Sequence, residues 1–237
     1  MCRSTGSLRG ADMGGNTWRA TRTLAVLAVL TACGEPPALP PSPDQASKLG
    51  AYCPATLPGA AVYTVDPNTS LLAVTVRRAG PLARLGHEHI VASHHLAGYA
   101  IPSAGCAVVS FALDQMVVDE PQLLREAGIG TQPSPQAVEG TRKNMLGPVL
   151  EAQRYPLVTL HAQHLTGGPL RVAVTLHGST RWLELPGTVR IEASELRADG
   201  TAVLKQSDFG IHPFAVGGGL LAVRDELEIR YHIVARR

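Results

Sequence analysis

Histidines and cysteines carry most of the chemistry open to this chain. His87 and His89 flank Glu88 in the run Gly86-His87-Glu88-His89-Ile90-Val91. Alternate residues on a strand share a face, so both imidazoles could meet one metal ion. A third ligand would have to come from His94, His95, His161 or His212. The spacing is not that of a zinc protease, because Val91 stands four residues after His87, where that motif needs its second histidine. His177 precedes Gly178 at a turn, and Asp208 sits in Ser207-Asp208-Phe209-Gly210. Both read as turn-holding residues. There is no Gly-x-Ser-x-Gly elbow, phosphate loop or Cys-x-x-Cys pair, so nothing joins a nucleophile to a base.

The four cysteines divide by position. Arg19 and Arg22 precede the apolar run Leu24 to Leu30, and Leu30-Thr31-Ala32-Cys33-Gly34 follows. A charged start, a short apolar core and small residues before a cut describe a bacterial export signal over residues 1–32. The run is too short to span a bilayer as a mature helix. Leu-Thr-Ala-Cys resembles a lipoprotein box, which makes Cys33 the lipidated first mature residue. A plain secretory signal that contains a cysteine is the other reading. Met13 offers a second start with a more ordinary leader, and Gly34 in place of Asp points to the outer membrane. Cys53 and Cys106 then remain, and two thiols in an oxidising compartment tend to pair. Two free buried thiols fit the sequence as well.

Residues 33–60 hold Pro36, Pro37, Pro40, Pro41, Pro43, Pro54 and Pro58 with little periodicity. Such a stretch is a semi-extended tether. Residues 61–237 are the folded domain. Without the four Arg and one Asp of residues 1–32, the formal charge falls from +2 to −1. No basic stripe is present, which excludes a nucleic-acid surface. Aromatic residues are only 4% of the chain, so its interior is filled by small aliphatic side chains. A barrel lined that way can keep a hollow.

The elements that position these residues are strands. Leu170, Val172, Val174 and Leu176 alternate with Arg171, Ala173, Thr175 and His177, one apolar face against one wet face. Leu72, Val74 and Val76 repeat the pattern, as do Val109, Phe111 and Leu113. The last strand sets Val223, Leu227, Ile229, Tyr231 and Ile233 against charged residues. His87 to Ile101 reads as one long or broken strand, interrupted near His94-His95. Arg77 to Leu85 reads as a loop. Leu183, Leu185, Val189 and Ile191 keep one parity through Pro186-Gly187, which marks a bend or bulge. Ala198-Asp199-Gly200 reads as a turn before a strand over 202–209. Gly178-Ser179-Thr180 reads as another turn. Pro121 opens a helical turn or two, and the helical spacing over 136–152 is broken at Gly147-Pro148. The fold class expected is all-β: an antiparallel lipocalin-like barrel of about eight strands with a short helical insertion, with a sandwich as the alternative.

Four segments carry a resemblance. Tyr63-Thr64-Val65-Asp66-Pro67 with Ser70 is similar to the opening strand of the YceI-like domain family. Thr141 to Leu146 with Leu150 to Pro156 resembles its helical crossing and Tyr-Pro. Val174 to Thr180 resembles its strand and turn, and Lys205 to Ile211 its Ser-Asp-Phe-Gly segment. The likeness runs from Val62 to Ala235. It implies a lipocalin-like barrel that takes polyisoprenoid or other long apolar ligands. The histidine-rich stretch at His87–His95 and residues 114–120 depart from the family pattern.

The resulting expectation is a non-catalytic carrier anchored through Cys33 in the bacterial envelope, facing the periplasm, at the outer membrane. Its lumen, lined by Leu72, Val74, Val109, Phe111, Val172, Val174, Leu176, Leu183, Leu227 and Ile229, would hold an isoprenoid or quinone-like molecule. No cofactor is required, and a homodimer is compatible with this reading. The rival is a metal-binding protein or metal-assisted enzyme built on His87 and His89. A third class is an adhesion or interaction domain with a filled core.

Overall fold

The computed structural model describes residues 53–55, 57–166 and 168–237. The expected signal over 1–32, Cys33 and the tether up to residue 52 lie outside the described residues. Among the described residues, no helix is long and apolar enough to cross a membrane.

The domain is mostly antiparallel sheet. Its strands are β1 (Tyr63–Val65), β2 (Leu71–Ala79), β3 (His89–Ser93), β4 (Ala97–Ile101), β5 (Cys106–Ala112) and β6 (Val117–Val118). After a helical insertion come β7 (Leu157–Gln163), β8 (Leu170–Leu176), β9 (Ser179–Leu185), β10 (Gly187–Ile191), β11 (Glu195–Lys205), β12 (Ala215–Val216) and β13 (Leu221–Arg236). Thirteen strands replace the eight expected, because long courses are broken into pieces. β1 and β2 both run antiparallel to β13, with Asp66 to Ser70 bulging between them. Ser70 fixes that bulge: its hydroxyl donates to the Val234 carbonyl and accepts from the Val234 N–H. β3 and β4 likewise follow one course, broken at His94–Leu96, with β2 and β1 as their partners. β5 and β6 flank that course on its other side.

The hydrogen-bonded ladder does not close on itself. β9 pairs with β8 and β10 with β11, and only the chain through Pro186 joins them. Proline has no N–H to give a ladder, so it marks the switch of partner. Tyr231 covers this seam, donating from its hydroxyl to the Pro186 carbonyl at 3.1 Å. Gly187 and Gly200 face each other across β10 and β11 beneath it. This corrects the turn expected at Ala198-Asp199-Gly200. All three residues lie inside the continuous strand β11. Gly200 leaves room for the Tyr231 ring, not for a chain reversal.

Two other local expectations shift. Arg77 to Ala79 extend β2, and Gly80 to Glu88 connect it to β3. The β8–β9 turn is His177-Gly178 alone, both at positive φ (51° and 72°), which matches the right-handed twist of a tight hairpin. Ser179 already belongs to β9.

The insertion holds α1 (Pro121–Glu126) and α2 (Pro135–Asn144), followed by a π-helical turn over Met145–Val149 that absorbs Pro148. Proline opens both α-helices, where its missing N–H costs nothing. Ser134 caps α2, its hydroxyl accepting from the Ala137 N–H. α1 buries Leu123 and Leu124 on the outer face of β2 and β3, against Ala73, Ile90 and Ala92. Small residues on those strands allow the close approach. α2 and the π turn cover the main core through Val138, Met145, Leu146 and Val149.

Candidate apolar cavity

Period-two alternation turns the apolar side of each strand inward. In β8, Leu170, Val172, Val174 and Leu176 are buried, whereas Arg171 is exposed. The inward side chains do not meet across the axis. They surround a cavity of about 310 Å³. Leu72, Val74, Val109, Phe111, Val172, Val174, Leu176, Leu183, Leu227 and Ile229 all border it. Aliphatic residues dominate because the chain has few aromatics to fill the space. The insertion adds Met145, Val149 and Leu150, a contribution that strand periodicity could not reveal.

Few polar residues reach the cavity: His89, Tyr99, Thr141, Asn144, Gln206 and Tyr231. Three are tied to backbone. Tyr99 donates to the Cys53 carbonyl at 2.7 Å, Gln206 to the Arg224 carbonyl at 2.8 Å, and Tyr231 to Pro186. Burial pushes the Tyr231 hydroxyl up, and Asp199 adds to the shift. No lysine or arginine borders the cavity among the described residues.

His89 is held by a partner the sequence did not suggest. Its Nδ1 lies 2.7 Å from Asp119 Oδ2. Asp119 has a buried carboxylate, accepts the Ile90 N–H at Oδ1 and stands at a φ of 59°. The left-handed backbone turns its side chain back onto β3. Asp119 is thirty residues from His89 in the chain, and only the β3–β6 pairing brings them together.

The expected metal cluster is not assembled among the described residues. The His87 and His89 ring centroids are 6.5 Å apart. Among the described residues, no three His, Cys, Asp or Glu side chains converge on a cation position. His94 pairs with Glu120 at 2.7 Å, while His95 and His212 are exposed. His161 lies on the outer side of β7, since its neighbours Leu160 and Ala162 line the cavity. Desolvation lowers its pKa, and its buried Nδ1 has no partner among the described residues.

The two turn residues divide. His177 closes the β8–β9 hairpin, its ring edge-on to Tyr155 at 4.8 Å and its Nδ1 3.4 Å from the Phe209 carbonyl. Asp208 is exposed, and the neighbouring turn is held instead by Asp225, which accepts the Ser207 N–H at 2.8 Å. At the opposite end of the barrel from α2, the structure joins Cys53 to Cys106, with 5.7 Å between their Cα atoms. Ile101, Tyr99 and Val108 pack around them.

The chain has recognisable relatives. A polyisoprenoid-binding domain from Saccharophagus degradans, implicated in plant cell wall breakdown, is similar in structure at a TM-score of 0.52 and 14% identity, covering 73% of this chain and 97% of that one. Burkholderia cenocepacia BcnA matches at a TM-score of 0.48 and 18% identity, over 72% of this chain and 99% of its own. A Campylobacter jejuni YceI protein matches at 0.38 and 9%, over 77% and 87%. A search of curated proteins found no match. The model of the YceI-like domain matches residues 63–235, which is most of the folded region, and the chain therefore belongs to the YceI-like domain family.

Proposed function

We propose that this protein carries a long apolar molecule, of isoprenoid or quinone type, in its lumen and performs no chemistry on it. The observation that supports this most directly is the cavity of about 310 Å³ with an almost wholly aliphatic lining that includes no lysine or arginine among the described residues. Each methylene buried there gains about 0.8 kcal/mol, so ten would gain roughly 8 kcal/mol before the costs of immobilisation. Such binding needs shape and dryness, not a catalytic constellation. The polyisoprenoid-binding domain of Saccharophagus degradans supports the same ligand class at the level of fold.

The signal-like run over residues 1–32, followed directly by Cys33, supports a lipid anchor in the bacterial envelope, with the proline-rich segment as its leash. The barrel then stands on the periplasmic side of the outer membrane, where apolar molecules need a carrier through water.

Mass spectrometry of organic extracts from the full chain, purified in its natural membrane, tests both parts. An isoprenoid or quinone lipid near one per chain is expected, together with an acylated Cys33. An extract without apolar small molecules, from a protein that also fails to take up added farnesol, would overturn the carrier reading. An unmodified Cys33 would remove the anchor.

A further inference from the structure

One end of the cavity is not purely oily. The Tyr99 and Tyr231 hydroxyls and the Gln206 side-chain N–H are spent on backbone carbonyls. His89 Nε2 has no hydrogen-bond partner among the described residues, and the ring borders the lumen. Thr141 and Asn144 of α2 reach the same lumen, and α2 packs on β6, the partner strand of β3.

Asp119 decides what His89 can offer. Its carboxylate is 0% exposed and accepts the Ile90 N–H, so it is fixed in place. A carboxylate only accepts, so Nδ1 carries the ring hydrogen and Nε2 of the neutral imidazole is a bare acceptor. An acceptor on the wall of an apolar lumen is satisfied by a hydroxyl hydrogen. It does not suit a ketone oxygen, which also accepts. A phosphate end is disfavoured too, because no Lys or Arg among the described residues lines the cavity and Asp119 adds a negative charge.

We propose that His89, oriented by Asp119, binds the hydroxyl end of the lumen ligand, so that the site selects isoprenoid alcohols or quinols over the matching ethers, quinones and phosphates. The inference rests on the carrier reading and adds the direction of the guest: polar end at His89, tail toward the Cys53–Cys106 end.

The test compares farnesol, farnesyl methyl ether and farnesyl phosphate by displacement of a fluorescent apolar probe from the full chain. Farnesol is expected to bind about tenfold more tightly than the ether, the worth of one buried hydrogen bond. The phosphate should bind more weakly still. In Asp119→Asn, Oδ1 still accepts the Ile90 N–H, and the amide now donates to Nδ1. That moves the ring hydrogen to Nε2, where it can be donated to an alcohol or an ether alike. The tenfold preference should then collapse, as it should in His89→Leu, which serves if Asp119→Asn does not fold. Equal binding of alcohol and ether to the natural protein, preference for the phosphate, or a preference that persists in the variants overturns the inference and leaves the carrier reading standing. Failure of all three probes to bind overturns both.

Discussion

Gly200 stands directly opposite Tyr231 in the β11–β13 ladder, and a Cβ built on it would lie 2.6 Å from Tyr231 Cζ. The tyrosine ring occupies the place a side chain would take. Gly200→Ala should therefore displace the ring and release the hydroxyl from Pro186, at a cost of about 1–3 kcal/mol. Urea unfolding checks the single variant, and Gly200→Ala with Tyr231→Leu should recover part of the loss. Strictly additive losses would show that the two positions are not coupled.

The Cys53–Cys106 bridge spans a sequence separation of 53 residues. On loop-closure grounds it contributes about 4 kcal/mol. A Cys53→Ser/Cys106→Ser variant should lose stability of that order. Reductant should lower the melting temperature of the natural protein and leave that of the variant unchanged.

Val172→Phe puts a ring where the lumen is open. A filled interior would resist the extra volume by about 1–3 kcal/mol, whereas a hollow one accommodates it with little change in melting temperature. Farnesol affinity should fall at least about tenfold, the loss of one or two buried carbons and the space they used. Unchanged affinity in a folded variant would place the ligand outside the lumen.

His161 gives stability a pH dependence. Burial lowers its folded pKa from the ordinary 6.5, so between the two values the unfolded chain binds more protons. Stability is complete above pH 6.5 and falls as pH drops below it, until the folded pKa is passed. Glu126 and Glu228, lowered first by hydrogen bonds from Arg230 and Arg77, add acid sensitivity only nearer 4.5. His161→Leu should flatten the change in urea midpoint between pH 7.5 and 5.5. An unaltered slope would show that His161 titrates alike in both states.

The inward faces were legible because strand parity is a local property. Leu170 to Leu176 and Leu72 to Val76 announce which side is oily, and all ten lumen positions read that way border the cavity. What stayed hidden depends on distant partners. Gly200 beside Asp199 has turn composition, yet it sits in mid-strand because Tyr231, thirty-one residues later, needs the room. Asp119 stood out in the sequence only as part of the stretch 114–120 that departs from the family pattern, and its fold-back onto Ile90 gives His89 a partner. His89 opens β3 while His87 lies in the connection before it, so the parity of alternate strand residues does not extend to this pair, and no third ligand converges on it among the described residues.

β13 is sixteen residues long and is hydrogen-bonded to β1, β2, β11 and β12. β13 follows β1, β2, β11 and β12 in the chain, so these four strands wait on a partner made after them. β4, β5, β7, β8 and β9 pair without it, but β13 is what joins β2 to β1 and brings β11 onto the sheet. Completing the wall is therefore a late step built from long-range pairings.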